Sequence, residues 1–175
     1  MLLCDAIQQN SEIRLLNIAK NYLTNSCTEK LGATLEKNES IKELYLYWNQ
    51  IQGAGGNNIL KGLMSNKYLK VLDLAWNSLG INPSGFAKMF ADYIGTNTEL
   101  IILNLSNNNF SKQDSKIIAE GLEKNHTLYE FQFQGNHGYV DCLGFLVVND
   151  QAELELQSQF VGTHTSGKAY KENSC

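Results

Sequence analysis

The residues that could carry out catalysis in this chain are few, and they do not form a complete catalytic set. His137 and Cys142 could form a Cys–His dyad, but no third residue marks an orienting partner for it. The segment 53–56, Gly-Ala-Gly-Gly, lacks the Lys-Ser/Thr of a phosphate-binding loop and fits a tight turn between strand and helix. The three histidines share no cluster with Cys, Asp or Glu at metal-ligand spacing. We therefore predict no enzymatic activity, no metal and no cofactor.

Asparagine recurs at fixed spacing, and its side-chain amide can hydrogen-bond the backbone of a turn. Five asparagines end the pattern apolar-x-x-apolar-x-apolar-x-x-Asn, at steps of 28, 28, 31 and 28 residues. These are the ladder asparagines Asn21, Asn49, Asn77, Asn108 and Asn136. A second series keeps the same steps: Asn10, Asn38, Asn66, Asn97 and Asn125. Because both series place three extra residues in the same interval, the chain is predicted to be an array of internal repeats.

The repeat consensus, L-x-x-L-x-L-x-x-N-x-L at about 28 residues, resembles the leucine-rich repeat of the ribonuclease-inhibitor-like class. The resemblance covers residues 3–148 and implies one strand and one helix per repeat. We therefore expect an α/β fold, a horseshoe-shaped solenoid with a parallel sheet on the concave face and helices on the convex face. The expected domains are about five repeats in residues 1–148, opening mid-repeat, and a C-terminal capping segment with a polar tail in 149–175.

The pattern also predicts individual elements. Alternating apolar residues indicate strands near 16–18, 44–46, 72–74, 103–105 and 131–133. The only proline, Pro83, is expected to start a helix that runs to about Gly95. Ser111 and Asp114 have the spacing of a capping box. A capping strand is expected where Ala152, Leu154 and Leu156 alternate with polar residues.

Aromatic residues concentrate at positions that such a repeat directs to its concave face. Tyr45, Tyr47, Trp48 and Trp76 fall on adjacent predicted strands, about 5 Å apart, and Asp73 belongs to the same set of positions. Tyr and Trp are enriched at the energetic centres of protein interfaces. We predict that these five residues bind a protein. The alternative is that Trp48 and Trp76 pack on each other and only cover the edge of the sheet.

The array is expected to open inside a helix, Met1–Gln9, with Leu3 and Ile7 packed as their equivalents one repeat later are. The first strand would then have an unpaired edge, which proteins normally cover or protect with charge or proline. We expect a partner chain, or further sequence of the same protein, to lie against this N-terminal edge.

Composition narrows the classes of partner and location. The net charge is −4 and no run of Lys or Arg occurs, which argues against nucleic acid or an anionic membrane as partner. No apolar stretch approaches the roughly 18 residues of a membrane span. The scattered cysteines and the absence of a signal-peptide pattern at residues 1–7 predict a cytoplasmic location, with a cytoskeletal or ciliary setting as the narrower expectation.

The sequence favours a non-catalytic scaffold for protein–protein interaction, a structural subunit of a larger axonemal or cytoskeletal assembly. The segment 136–146 loosely resembles the closing segment of repeat proteins of ciliated and flagellated protists. Two alternatives stay open, because a fold alone does not settle function. One is a GTPase-activating protein similar to the Ran activator. The other is the ligand-sensing or inhibitory repeat domain of a larger protein.

Overall fold

The computed structural model of the protein describes residues 2–81 and 85–148. Three predictions therefore lie outside the described residues. They are the helix start at Pro83, the capping strand through Ala152, Leu154 and Leu156, and the polar tail that ends at residue 175.

Short strands alternate with helices along the whole described chain. The helices are α1 Leu2–Gln8, α2 Asn25–Lys37, α3 Gly53–Leu63, α4 Phe86–Thr96 and α5 Lys112–Leu122. The repeat strands are β1 Leu15–Asn17, β2 Glu43–Tyr45, β3 Val71–Asp73, β4 Ile102–Asn104 and β5 Glu130–Gln132, and they form one parallel sheet in chain order. An antiparallel pair follows, β6 Tyr139–Val140 and β7 Leu146–Val147. The predicted α/β solenoid is confirmed, with each repeat strand placed one residue before its predicted range.

The core of the solenoid is built from rows of apolar side chains that run across the sheet. The middle residue of every repeat strand is buried and in register with its neighbours: Leu16, Leu44, Leu72, Leu103 and Phe131. A second buried row lies two residues further along: Leu46, Leu74, Leu105 and Phe133. Burying one such side chain contributes roughly 1.5–3 kcal/mol. The rows bind the sheet to the helices and leave the intervening side chains on the concave face.

Two glycines allow α2 and α3 to approach each other closely. A Cβ atom added to Gly62 of α3 would lie 2.0 Å from the carbonyl oxygen of Gly32 in α2. Only a hydrogen atom fits between these two backbones. The glycines therefore set the distance between the helices, which must match the spacing of the strands on the other face.

The second asparagine series connects the end of each helix to the next strand. The Asn38 side-chain amide donates to the carbonyl oxygens of Ile7 (3.0 Å) and Asn10 (3.2 Å) in the preceding repeat. Its side-chain oxygen accepts from the N–H groups of Ser40 (3.0 Å) and Ile41 (2.8 Å). Asn66 and Asn125 repeat this pattern one and three repeats later. The series thereby satisfies backbone groups that the bend would otherwise bury unpaired.

The first helix differs from the prediction. Leu3 is 46% exposed and does not pack as expected, whereas Cys4 and Ile7 are each 1% exposed. Leu31 holds the equivalent position in α2 and is buried. The difference arises because α2 packs between α1 and α3, while α1 packs against α2 on one side.

The start of helix α5 shows the predicted capping arrangement. Ser111 Oγ accepts from the N–H of Asp114 (3.2 Å), and the Asp114 carboxylate accepts from the N–H of Ser111 (3.1 Å), so the capping box is present. The described helix α4 begins at Phe86, and the predicted start near Pro83 lies outside the described residues. Gly85 precedes it with a φ of 71°, a left-handed backbone that glycine adopts at little cost.

Candidate protein-binding groove

Each repeat strand leads into a turn that has the same backbone conformation in all five described repeats. The residue before each ladder asparagine has a positive φ, between 54° and 76°. These residues are Lys20, Trp48, Trp76, Asn107 and Gly135. Glycine and asparagine adopt this conformation readily, whereas it costs other L-residues roughly 1–2 kcal/mol. The two tryptophans are the bulkiest side chains in the set, so they bear the largest mismatch with their backbone.

The ladder asparagines hold this turn from the inside. Asn77 is 5% exposed, and its amide donates to the carbonyl oxygens of Leu46 (3.0 Å) and Leu74 (3.0 Å). Its side-chain oxygen accepts from the N–H of Ile51 at 3.1 Å. Each ladder asparagine from the second onward thus joins its own turn to the preceding one.

Burial varies along the ladder. Asn77, Asn108 and Asn136 are buried, and Asn49 is half-buried. Asn21 is exposed, and its amide donates to two carbonyl oxygens of its own turn, those of Ile18 (3.0 Å) and Ala19 (2.9 Å). The burial of the ladder asparagines therefore increases from the first repeat to the third and stays high after it.

Trp48 and Trp76 form a stacked and exposed pair at the end of strands β2 and β3. Their ring centroids are 4.7 Å apart with an interplanar angle of 15°. Even so, Trp48 is 52% exposed and Trp76 is 47% exposed. The centroid distance equals the spacing of neighbouring strands, so the stack runs across the sheet. The residues on either side of the pair in the same row are Lys20 and Asn107.

A groove of about 390 Å³ opens beside this pair on the concave face. Four of the five predicted binding residues line it: Tyr47, Trp48, Asp73 and Trp76. Tyr45, the fifth, is not part of the lining, because its hydroxyl turns to Glu43 and donates to that carboxylate at 2.8 Å. The same hydrogen bond is the main reason why the pKa of Tyr45 is raised.

The opposite side of the groove is polar, and sequence reasoning did not single out its residues. They are Asn104, Ser106, Asn107, Gln132 and Gln134. The Ser106 hydroxyl donates to the side-chain oxygen of Gln134 at 2.6 Å, and the Gln132 amide donates to Glu130 at 2.6 Å. The sequence identifies them by position: all five occupy the same places in their repeats as Asp73, Ala75 or Trp76.

Asp73 contributes a carboxylate to the floor of the groove. One carboxylate oxygen accepts from the N–H of Ala75 at 2.9 Å, and the other accepts from the amide of Asn104 at 3.4 Å. Burial raises the pKa of Asp73, and these two hydrogen bonds oppose the shift. Asn17 and Asn104 accept the equivalent backbone N–H in their own repeats, at 3.0 Å each. A neutral side-chain oxygen therefore serves this turn as well, and the negative charge at this position is particular to Asp73.

The described residues offer no arrangement for metal binding, since they contain no group of three or more His, Cys, Asp and Glu side chains that could hold an ion. His137 turns its ring Nδ1 to the carbonyl oxygen of Phe110 at 3.1 Å, as a residue of the turn. Gly55 and Gly56 lie in α3, where added Cβ atoms would collide with Asn25 and Phe86, so they serve packing. Within residues 2–81 and 85–148, no helix is long and apolar enough to cross a membrane.

Comparison with known sequences agrees with this architecture. The family model described as Leucine Rich Repeat matches residues 68–89 and 99–123. Leucine-rich repeat-containing protein 45 of Gallus gallus is 33% identical over 87 residues, which are 50% of this chain and 13% of that protein. NACHT, LRR and PYD domains-containing protein 9C of Mus musculus is 25% identical over 162 residues, 75% of this chain and 16% of that protein. The chain thus spans a small part of the length of these relatives.

Solved structures with the same fold include two domains of similar size. The structure named Leiomodin-1 Actin-Binding Site 2 (ABS2) superimposes with a TM-score of 0.67 at 20% identity, covering 75% of this chain and 76% of that one. The tropomodulin C-terminal domain of Caenorhabditis elegans gives a TM-score of 0.65 at 11% identity, covering 90% and 89%. At these identities the likeness shows the fold. The family-model match, the two relatives and the ladder geometry show that this chain is built from leucine-rich repeats.

Proposed function

We propose that the chain is a non-catalytic scaffold that binds a protein partner through its concave groove, as part of a cytoskeletal assembly. The observation that carries the proposal is the tryptophan pair. Two large apolar side chains stand about half exposed on a backbone conformation that resists them. Unfavourable local conformations of this kind concentrate at functional sites.

The energetics favour a binding role over simple cover for the sheet. Stacking of the two indoles contributes about 0.5–1.5 kcal/mol, and two left-handed tryptophans cost about 2 kcal/mol or more. Beyond the surface that it buries, the stack therefore does not offset the strain in the free chain. Transfer of the exposed indole surface to a partner would offset this strain. Truncation of a tryptophan at the centre of an interface commonly costs about 2 kcal/mol or more of binding free energy.

The cytoskeletal setting is supported by the similarity to leiomodin-1, whose domain is named as an actin-binding site. This setting is more specific than the scaffold function. At 20% identity, the similarity to leiomodin-1 shows the fold alone. The ciliary setting expected from segment 136–146 stays a prediction.

Co-sedimentation with actin filaments and with microtubules tests the proposal. We expect the chain to pellet with one of them, and Trp48→Asn/Trp76→Asn to stay in the supernatant. Asparagine suits this turn because Asn107 occupies the equivalent position, so the variant should keep its fold. Tyr129→Asn removes another exposed aromatic side chain, one outside the groove, and should pellet as the unaltered chain does. Pelleting that is equal for all three proteins would exclude the groove, and absence of pelleting with either filament would exclude these assemblies.

A GTPase-activating function remains the sequence-based alternative. The residues that line the groove include no Arg or Lys, the side chains that stabilise charge in phosphoryl transfer. A GTP-hydrolysis assay with candidate GTPases and the purified chain separates the two functions. A rate increase that survives Trp48→Asn/Trp76→Asn would overturn the scaffold proposal.

We also propose that a polypeptide segment covers the outer edge of β1. Within the described residues, β1 pairs with β2 alone, and its first residue, Leu15, is exposed. Leu3 and Tyr22 are exposed in the same repeat. The segment belongs to a partner or to further sequence of the same protein.

A further inference from the structure

We propose that the groove binds the guanidinium group of an arginine side chain on the partner protein. The occupant would stack on the outer face of Trp76 and pair with the carboxylate of Asp73. This inference rests on the proposed function, because it specifies the chemistry of the partner at the same groove.

The charge of the concave face favours a cation. The positions six, four and two residues before each ladder asparagine carry three carboxylates and no Lys or Arg in the five described repeats, and the row of the tryptophans carries one cation, Lys20, two strands away from Asp73. Glu43 already accepts a hydrogen bond from Tyr45, and Glu130 accepts one from Gln132. Asp73 alone of the three carboxylates lines the groove.

The Asp73 carboxylate lacks a countercharge within the described chain. The ion pairs formed by the described residues are Lys30–Asp5, Lys70–Glu99 and Lys88–Asp92, and none involves Asp73. A carboxylate offers about four acceptor sites. One good backbone hydrogen bond and one long amide bond leave capacity for a donor that enters from the groove.

The indole face is open on the side where the cation would lie. The stack with Trp48 covers one face of Trp76, and the next residue in the same row is Asn107. Asn107 leans away from the tryptophan: its side-chain oxygen lies 2.1 Å from the place where a Cβ atom of Gly135 would be. Gly135 thus makes room for the Asn107 amide, and Trp76 remains 47% exposed although Trp48 stacks on it.

Arginine matches this combination better than lysine does. Its planar guanidinium can stack on an indole and at the same time present parallel N–H groups to a carboxylate. Its remaining N–H groups would meet the side-chain oxygens of the polar side, where Gln132 and Gln134 lie. A lysine ammonium is compact and strongly hydrated, and it cannot use the flat face and the carboxylate in one plane.

An NMR titration tests the proposal on the chain alone. The chain contains two tryptophans, so two indole N–H signals report on the groove. The probe is N-acetyl-L-arginine amide, and the matched neutral probe is N-acetyl-L-citrulline amide, which keeps the shape and lacks the charge. We expect saturable shifts with the arginine probe and at least ~10-fold weaker binding of the citrulline probe.

Two variants assign the binding to Asp73. Asp73→Asn should weaken binding of the arginine probe by ~10-fold, because it removes the charge-assisted bond, while Asn at this position in two other repeats shows that the turn tolerates it. Asp92→Asn removes one negative charge from an exposed residue of helix α4 and should change nothing. Equal binding of both probes, equal binding to Asp73→Asn, or no saturable shift up to the solubility limit overturns the proposal.

The probe titration and the filament assay together distinguish failure of the arginine inference from failure of the proposed function. If filament binding depends on the tryptophan pair but the arginine probe does not bind, the scaffold function stands and the arginine inference fails. If the probe binds through Asp73 but neither filament pellets the chain, the groove chemistry stands and the cytoskeletal proposal fails.

Discussion

Replacing Asn77 with leucine tests how the asparagine ladder stabilises the solenoid. Leucine has the same branched arrangement of side-chain heavy atoms, so the change removes the hydrogen bonds without opening a cavity. The carbonyl oxygens of Leu46 and Leu74 keep a second donor, from Asn49 (2.9 Å) and Asn108 (2.9 Å) respectively. The N–H of Ile51 loses the acceptor that it has at 3.1 Å, and Ile51 is fully buried.

One buried donor without a partner costs about 1–3 kcal/mol. For a chain of this size that loss lowers Tm by about 2–12 °C in a thermal melt followed by circular dichroism. Asn21→Leu is the matched control, because Asn21 is exposed and water can replace its two hydrogen bonds. We expect the control to stay within about 0.5 kcal/mol. Equal losses in both variants, or none in Asn77→Leu, would refute the ladder argument.

Three further predictions concern packing, strain and the open edge. In a urea titration, Gly62→Ala should destabilise the chain by about 1–3 kcal/mol, because its Cβ would collide with the Gly32 carbonyl. Gly95→Ala is the control: its Cβ has room, so it should stabilise helix α4 by about 0.5–1 kcal/mol. Trp76→Asn should be more stable than Trp76→Ala by about 1 kcal/mol, because only asparagine relieves the left-handed backbone; equal midpoints would show that no strain is stored there. If the edge of β1 needs a cover, the isolated chain should self-associate in analytical ultracentrifugation; a monomer at high concentration with freely exchanging β1 amides would contradict this.

Periodicity predicted the fold because each repeat uses the same residues for the same contacts. The ladder asparagines located every turn, and the alternating leucines located every strand to within one residue. Periodicity could not predict how the burial of residues at equivalent repeat positions depends on the elements next to them. Leu3 and Leu31 hold equivalent positions, but only Leu31 lies in a helix that is packed on both sides.

The candidate site was only partly predictable, for a related reason. Residue type identified Trp48 and Trp76, since large aromatics on a concave strand position are uncommon. Their left-handed backbone could have been inferred from Gly135 and Asn107 in the same row, which are the residue types that favour it. The polar side of the groove was not predicted, because Asn104 resembles the many other asparagines of the chain. The sequence does not show which of these asparagines lie in a groove.

Asp73 and the tryptophan pair share one property, which is that each makes the free chain less stable. Burial raises the pKa of Asp73 above 3.8, so the folded state holds this proton more tightly than the unfolded state. The resulting stability is present below the unfolded pKa and is lost as the pH rises through the folded pKa, so the charge opposes folding at neutral pH. Asp73→Asn should therefore raise Tm at pH 7, and the gain should vanish near pH 3. A neutral-pH melt in which Asp73→Asn is no more stable would refute this reasoning.

The other repeats contain residues that would destabilise the chain less at the positions of Asp73, Trp48 and Trp76. Asparagine forms the same turn at Asn17 and Asn104, and asparagine or glycine adopts the left-handed conformation at Asn107 and Gly135. A chain optimised for stability alone would use them at the groove as well. Lys20 also takes the left-handed conformation, but at the groove three such departures come together, where an aromatic surface and an uncompensated charge meet. Such a coincidence is expected of a binding site, because a partner that covers the indoles and neutralises the carboxylate recovers both costs at once.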